Sequence, residues 1–398
     1  MMPAQHFFAE NLREVGLDPA KVEALFERAQ REIREGLLPS CQLAIARKGK
    51  IAAMATFGRA VQGGVEKPAT NETLYVIYSS TKAIMSSAAW ILIGESRLDP
   101  SERVADIIPE FAANGKDQVT VEQVLTHTSG FPNAPLPPTD WLDRKKRLAR
   151  FTTWRLEFEP GTMFTYHPTS GFWVIAEIIE RRTGQDFRQF VRNRIALPLG
   201  LHDLWVGLPP EHHHRVADVV NVGEELTAEE LKKLGMPKLP PNEVTPEALV
   251  GFNSPLAREA GVPGAGGIMT AGDLALFYQA LLNEGCSPEG KQIWKPDVLR
   301  EATGVRSGDL VDPIFKYKAN RGLGVIIAGD DGFSNYRGLG KTVSARAFGH
   351  GGAGGQIGWG DPATGISFGY CTNGNDLNAW RQGRRGVALS SLAAVCAS

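Results

Sequence analysis

From Ala83 to Gly94 the chain carries no charged residue, and Ile84, Met85, Trp90, Ile91, Leu92 and Ile93 fall on nearly every side of a helix. A helix apolar all round belongs in the middle of a domain, and a run this short cannot cross a bilayer. Directly before it stands Ser79-Ser80-Thr81-Lys82, the only Ser-x-x-Lys in the sequence. That spacing sets hydroxyl and amine one turn apart on the same side. Ser79 is therefore a candidate nucleophile and Lys82 a candidate to accept or relay its proton. Burial at the head of such a helix favours the neutral amine that a proton relay needs. The competing reading has Ser79 capping the helix and Lys82 reaching out to solvent.

A chain of 398 residues, 42% hydrophobic and 22% charged, can bury a substantial core and form two or three units. Net charge is −1, with no basic block interleaved with aromatics, so nucleic acid and anionic membrane are poor partners. Residues 1–16 lack an apolar run, and the expectation is a cytoplasmic protein unless a leader has been trimmed away. Cys41, Cys286, Cys371 and Cys396 are scattered and read as free thiols.

Along the chain, Asp18-Pro19 opens a helix with Val22, Leu25, Ala29 and Ile33 inward and Gly36 beyond its end. Residues 42–47 and 51–57 read as a hairpin. Between about 100 and 300 the segments are mostly helical, including 172–182, a helix begun by Asp186, and one through Leu282 opened by Thr270 and Asp273. Residues 206–262 read as a Pro-rich, irregular loop with one small helix near Thr227 and Glu230, either shaping a site or passing over the surface. Strand patterns return at 324–328, 347–350, 356–361 and 366–372, and a helix over 379–395 closes the chain. The expectation is α+β: residues 1–100 and 300–398 build one antiparallel sheet flanked by helices, and 101–299 form a mainly helical domain covered by 206–262.

Two further pieces carry chemistry. Tyr166 ends the Pro-Gly loop Glu159-Pro160-Gly161-Thr162-Met163-Phe164-Thr165 just before a helix, where a phenol beside an ammonium can act as general base. His350-Gly351-Gly352-Ala353-Gly354-Gly355 ends an apolar strand, where a glycine-rich backbone lets substrate lie close and leaves N–H groups free to donate.

With Ser79-Ser80-Thr81-Lys82, Leu125-Thr126-His127-Thr128-Ser129-Gly130, Pro160-Gly161 to Tyr166, Gly266 to Leu274 and His350-Gly351-Gly352 in this order, the sequence resembles the serine β-lactamase and penicillin-binding superfamily. Within it, the resemblance is to the class C branch and above all the family VIII carboxylesterases, over nearly the whole chain. The resemblance implies a β-lactamase-like fold with the site between sheet and helical domain. It also implies Ser79 as the acylated nucleophile, Lys82 and Tyr166 sharing the base role, and His350 in the place of the lysine of Lys-Thr-Gly. The N–H groups of Ser79 and Ala353 would form the oxyanion hole. Two departures stand out: Tyr166-His167-Pro168 lacks the asparagine of Tyr-x-Asn, and a neutral His350 grips a substrate carboxylate less well than lysine. Both turn the expectation from β-lactamase or D-amino-acid peptidase and amidase toward a serine hydrolase of small carboxylic esters, a carboxylesterase needing no cofactor and no metal. A non-catalytic binding protein on the same fold is the alternative from a different class.

Some signals are set aside. Gly365-Ile366-Ser367-Phe368-Gly369 matches a nucleophile elbow, but Ser367 sits in a strand pattern and all eight histidines precede it. His212-His213-His214 lies in a Pro/Glu/Arg loop without a carboxylate or cysteine at ligand spacing. His127 reads as a hydrogen-bonding loop residue, and 144–150 as a solvated helix face.

Overall fold

The computed structural model describes residues 5–233 and 244–398. The helices that position the site are α1 (Pro19–Arg34), α2 (Thr81–Gly94), α3 (Ser170–Thr183), α4 (Ala271–Leu282) and α5 (Ala379–Ala394). Asp18 caps α1 by accepting from the N–H groups of Ala20 and Lys21, and Val22, Leu25 and Ala29 are buried along it. The fourth expected position, Ile33, is only partly covered; Glu32 turns inward instead, to meet Arg385 of α5 at 2.7 Å. Arg385 also donates to Asp376 at 2.8 Å, so both buried carboxylates of this cluster are paired, while Nη1 of Arg385 has no partner among the described residues.

Strands β1 (Ser40–Arg47) and β2 (Lys50–Gln62) are joined through Lys48 and Gly49, both at positive φ (53° and 77°). Two successive left-handed residues give the turn that follows the twist of a hairpin. β2 runs beyond the expected end and pairs with β3 (Val65–Pro68), an edge strand whose exposed Val65 and Glu66 leave no hydrophobic alternation to read. With β4 (Ile326–Ile327), β5 (Phe348–Gly349), β6 (Ile357–Asp361) and β7 (Ile366–Thr372) the sheet is antiparallel, in the order β3-β2-β1-β7-β6-β5-β4. The two ends of the chain thus lie side by side, Cys41 opposite Thr372. Leu43, Ile45, Trp359 and Phe368 pack with α1 and α5, while Ala44 and Ala46 turn to the other face. The fold is α+β and β-lactamase-like.

The apolar run forms α2 as expected: every residue but Ile93 is buried, and the helix packs on α3. By packing, α2 goes with the helices although it falls within 1–100. Likewise α4 lies against β1, β6 and β7 although it falls within 101–299. A small sheet of Tyr75–Val76, Gly267–Met269 and Trp205–Val206 leads the chain into α2.

Residues 206–262 are more ordered than an irregular loop, although 234–243 lie outside the described residues. Val220–Val222 pairs in parallel with Gly374–Asp376. Short helices Pro246–Val250 and Pro255–Ala260 are started by proline and capped by Thr245 and Ser254. Elements this short carry no periodicity, so sequence pattern misses them. Among the described residues no helix is long and apolar enough to cross a membrane. Ser367 lies inside β7, donating to the Ala275 carbonyl at 2.7 Å and accepting from Gln279, which removes it as a nucleophile.

Candidate active site

Ser79 sits in a single 3-10 turn, Tyr78–Ser80, at the head of α2, and is partly exposed where its neighbours are buried. Tyr78 is held at φ 43°, a left-handed conformation a bulky side chain seldom takes and one that tight functional turns often retain. The turn is pinned from three sides. Ile77 N–H donates to the Gly267 carbonyl at 2.9 Å. The Thr81 hydroxyl donates to the Tyr78 carbonyl and accepts from Gly267 N–H. The Ser80 hydroxyl donates to the His350 carbonyl at 2.8 Å, tying the Ser79 turn to the end of β5.

Lys82 is wholly buried, with Nζ 3.2 Å from Ser79 Oγ, 2.7 Å from the Pro168 carbonyl and 2.8 Å from the Gly264 carbonyl. Burial above all pushes its pKa below the ordinary lysine value; the Tyr166 oxygen opposes this and the Arg321 charge assists it. Two of the three neighbours are carbonyls and can only accept. A neutral amine spends its two N–H bonds on them and turns its lone pair to Ser79 Oγ.

Tyr166 completes the group, its ring centroid 5.0 Å from Lys82 Nζ and 6.0 Å from the His350 ring. It is fixed from both sides by the 126–130 loop. Thr165 N–H donates to the His127 carbonyl, and His167 N–H donates to His127 Nδ1 at 3.1 Å. His167 in turn donates through Nδ1 to the Thr165 carbonyl (2.6 Å) and accepts at Nε2 from Ser129 Oγ and Phe131 N–H. His127 and His167 are therefore neutral positioning residues, and burial pushes both pKa values down, His167 to about 4.

His350 departs from its expected use. Its Nδ1 lies 2.7 Å from the Gly351 carbonyl and so carries the proton, leaving Nε2 a buried lone pair without a partner among the described residues. Burial, then the Lys82 and Arg321 charges, push its pKa well below the imidazole range. The one donor credited to it for gripping a substrate carboxylate is already spent, and toward substrate it can only accept.

Gly352 passes so close to the Ser79 turn that a Cβ there would stand 2.2 Å from the Ile77 carbonyl. A Cβ on Gly351 would meet only the Gln356 carbonyl, at 3.4 Å. This approach brings Ala353 to the wall of the Ser79 cavity. Among the described residues the N–H groups of Ser79 and Ala353 make no hydrogen bond, so both are free to donate.

Sequence reasoning missed Arg321. Its guanidinium carbon lies 5.1 Å from the Phe164 ring centroid and 5.7 Å from that of Tyr166, with Nε and Nη1 buried and unpartnered among the described residues. Burial draws its pKa down, against the pull of Tyr166, Tyr317 and Asp312. A lone arginine in the Gly-rich run before β4, some 150 residues from the rings it covers, carries no local signal. No group of three His, Cys, Asp or Glu side chains among the described residues is placed to hold a metal. In the histidine run, His213 Nε2 meets the Leu208 carbonyl and His212 lies beside Trp205.

The family profile described as Beta-lactamase matches residues 22–392. The Esterase/beta-lactamase LipL of Mycobacterium tuberculosis is 28% identical over 323 residues, 77% of this chain and 70% of its own length. A penicillin-binding protein homolog from Caulobacter crescentus superposes with a TM-score of 0.77 at 29% identity, covering 95% of this chain and 98% of that one. A family VIII carboxylesterase gives a TM-score of 0.77 at 27% identity, covering 95% and 99%. With a match running from within α1 into α5 and taking in the Ser-x-x-Lys turn, this chain belongs to the Beta-lactamase family of serine hydrolases.

Proposed function

We propose that the protein cleaves carboxylic esters through an acyl-enzyme on Ser79. The observation that carries the proposal is the setting of Lys82: it is wholly buried, 3.2 Å from Ser79 Oγ, and the two backbone carbonyls beside it take the N–H bonds of a neutral amine, which leaves the lone pair for Ser79. Lys82, with the Tyr166 hydroxyl beside it, takes the Ser79 proton as Oγ attacks the ester carbonyl. The oxyanion lies between the N–H groups of Ser79 and Ala353, each donor worth about 3 kcal/mol. Tyr166 and Lys82 return the proton to the departing alcohol. A water molecule then attacks the acyl-enzyme with the same pair as base.

Two features support ester over lactam or D-amino-acid peptide. His350 offers no donor to a substrate carboxylate, and Pro168, in place of an asparagine, contributes only its carbonyl, which is engaged by Lys82. One observation favours the peptide or lactam reading: Arg321 brings a positive charge to the site and makes no ion pair among the described residues.

A panel of p-nitrophenyl esters, nitrocefin and a D-Ala-D-Ala peptide separates the two readings. Ester turnover abolished by Ser79→Ala is the expected result. Nitrocefin or peptide turnover of the same order as the ester would shift the assignment. A folded protein whose Ser79 is not labelled by a fluorophosphonate would make this a binding protein instead.

A further inference from the structure

Beside Ser79 lies a cavity of about 510 Å³, of a size with small-molecule sites in general. Its wall includes Tyr78, Leu136, Trp141, Leu249, Phe252 and Ala353, and no charged residue or histidine among the described residues. Apart from Ser79 itself and Thr169, whose hydroxyl caps no backbone group, the polar tips that border it are turned elsewhere. The Tyr78 hydroxyl donates to the Leu249 carbonyl, and Trp141 Nε1 donates to the Leu136 carbonyl. Asn133 is held by Glu157, and the Ser254 hydroxyl donates to the Gly251 carbonyl. What remains is mostly ring face and hydrocarbon, with the Phe252 ring 5.3 Å from that of Tyr78 and 6.4 Å from that of Trp141.

The cavity also has a direction. Ser79 and Ala353 line it; Lys82, Tyr166 and His350 do not. A leaving alcohol must take its proton from the Tyr166 and Lys82 pair, and so departs on their side of Ser79. The acyl group, with its carbonyl oxygen toward the Ser79 and Ala353 N–H groups, is left pointing into the cavity.

Resting on the ester-cleaving reading above, we infer that this cavity is the acyl subsite and takes an uncharged hydrocarbon acyl group, a medium-length alkanoyl or arylalkanoyl chain, with Phe252 and Trp141 as its far wall. At about 30 Å³ per non-hydrogen atom, the share of one water in the liquid, there is room for more than ten such atoms. Each methylene moved from water into such a wall is worth about fourfold in binding.

The test uses p-nitrophenyl acetate, butyrate, hexanoate and octanoate beside a hemisuccinate ester. Turnover is measured on the wild type, and dissociation constants of the same esters are measured on Ser79→Ala. The expected result is an affinity and a kcat/KM that rise about fourfold per methylene from acetate through hexanoate, with the hemisuccinate at least tenfold below butyrate. Ala248→Phe, which fills the exposed rim of the cavity, should lower the octanoate-to-acetate ratio at least tenfold. Phe252→Ala should move the optimum to longer chains. A flat or falling affinity series, or a hemisuccinate bound as well as butyrate, overturns the subsite even if esters are cleaved. A rising affinity series without turnover in the wild type keeps the subsite and overturns ester cleavage instead.

Discussion

Gly352→Ala is the substitution that tests the site's geometry most sharply. A Cβ at this position would lie 2.2 Å from the Ile77 carbonyl oxygen and 3.0 Å from Gln356 Cβ, against the 3.4 Å at which ordinary contact begins. Neither obstacle can swing away. Ile77 is bonded through its N–H to Gly267, and the Gln356 amide is locked onto Thr372 by two hydrogen bonds. The strand end must therefore back off by about 1 Å, and Ala353, the very next residue, moves with it. A misplacement of that order costs about 10²-fold where reacting groups are concerned. Loss of one oxyanion donor costs about 10²–10³ in kcat, or about 2.7–4 kcal/mol. The strain itself should lower stability by about 1–3 kcal/mol. Initial rates on a p-nitrophenyl ester, read beside a circular-dichroism melt, check both effects. Gly351→Ala is the internal control, since its Cβ meets one oxygen at 3.4 Å, and it should cost at least tenfold less. A Gly352→Ala enzyme with kcat within threefold of wild type and an unchanged melt would refute the oxyanion assignment of Ala353.

Tyr166→Phe should lower kcat/KM by about 10²–10⁴ while leaving the melt in place, because the loop is held by His127 and His167 and not by the phenol. Lys82→Arg should abolish turnover, since a guanidinium has no lone pair to offer Ser79; residual activity above about 1% would argue against Lys82 as base. Arg321→Gln removes a positive charge that helps keep the Lys82 pKa low. Protonated Lys82 then becomes less unfavourable, so the acid limb of the pH profile of kcat/KM moves to higher pH; an unmoved limb would exclude this coupling. Arg385→Met leaves the buried Glu32 and Asp376 short of a partner and should cost about 3 kcal/mol in a urea melt.

The fold was legible wherever an element was long and its burial one-sided or complete. The apolar run of α2, the caps of α1 and α4, and the strands at both ends followed from composition and spacing. What stayed hidden was short or set by its partner. The pair Tyr75–Val76 is a strand because Gly267–Met269 lies beside it, and Val220–Val222 because Gly374–Asp376 does. No periodicity exists in two or three residues, so tertiary pairing decides. Glu32 is a related case: its position puts it on the buried face with Leu25 and Ala29, its charge argues for the outside, and a facing Arg385 decides for the inside.

The site divides in the same way. The candidate side chains Ser79, Lys82 and Tyr166, which the fold brings together, could be singled out because their chemistry is particular to their residue types. Half of the proposed machinery is backbone: the Pro168 and Gly264 carbonyls that accept from Lys82, and the N–H groups of Ser79 and Ala353 proposed to hold the oxyanion. Every residue has such a carbonyl, and all but proline such an N–H, so no residue type marks which of them are used; topology alone selects them. This is why the missing asparagine at position 168 looked like a loss on paper. A proline carbonyl accepts from Lys82 as well as any other. On the ester-cleaving proposal, the departure from Tyr-x-Asn removes a contact to the substrate while leaving the proposed Ser79–Lys82 relay intact, which is the pattern expected when the substrate has changed and the chemistry has not.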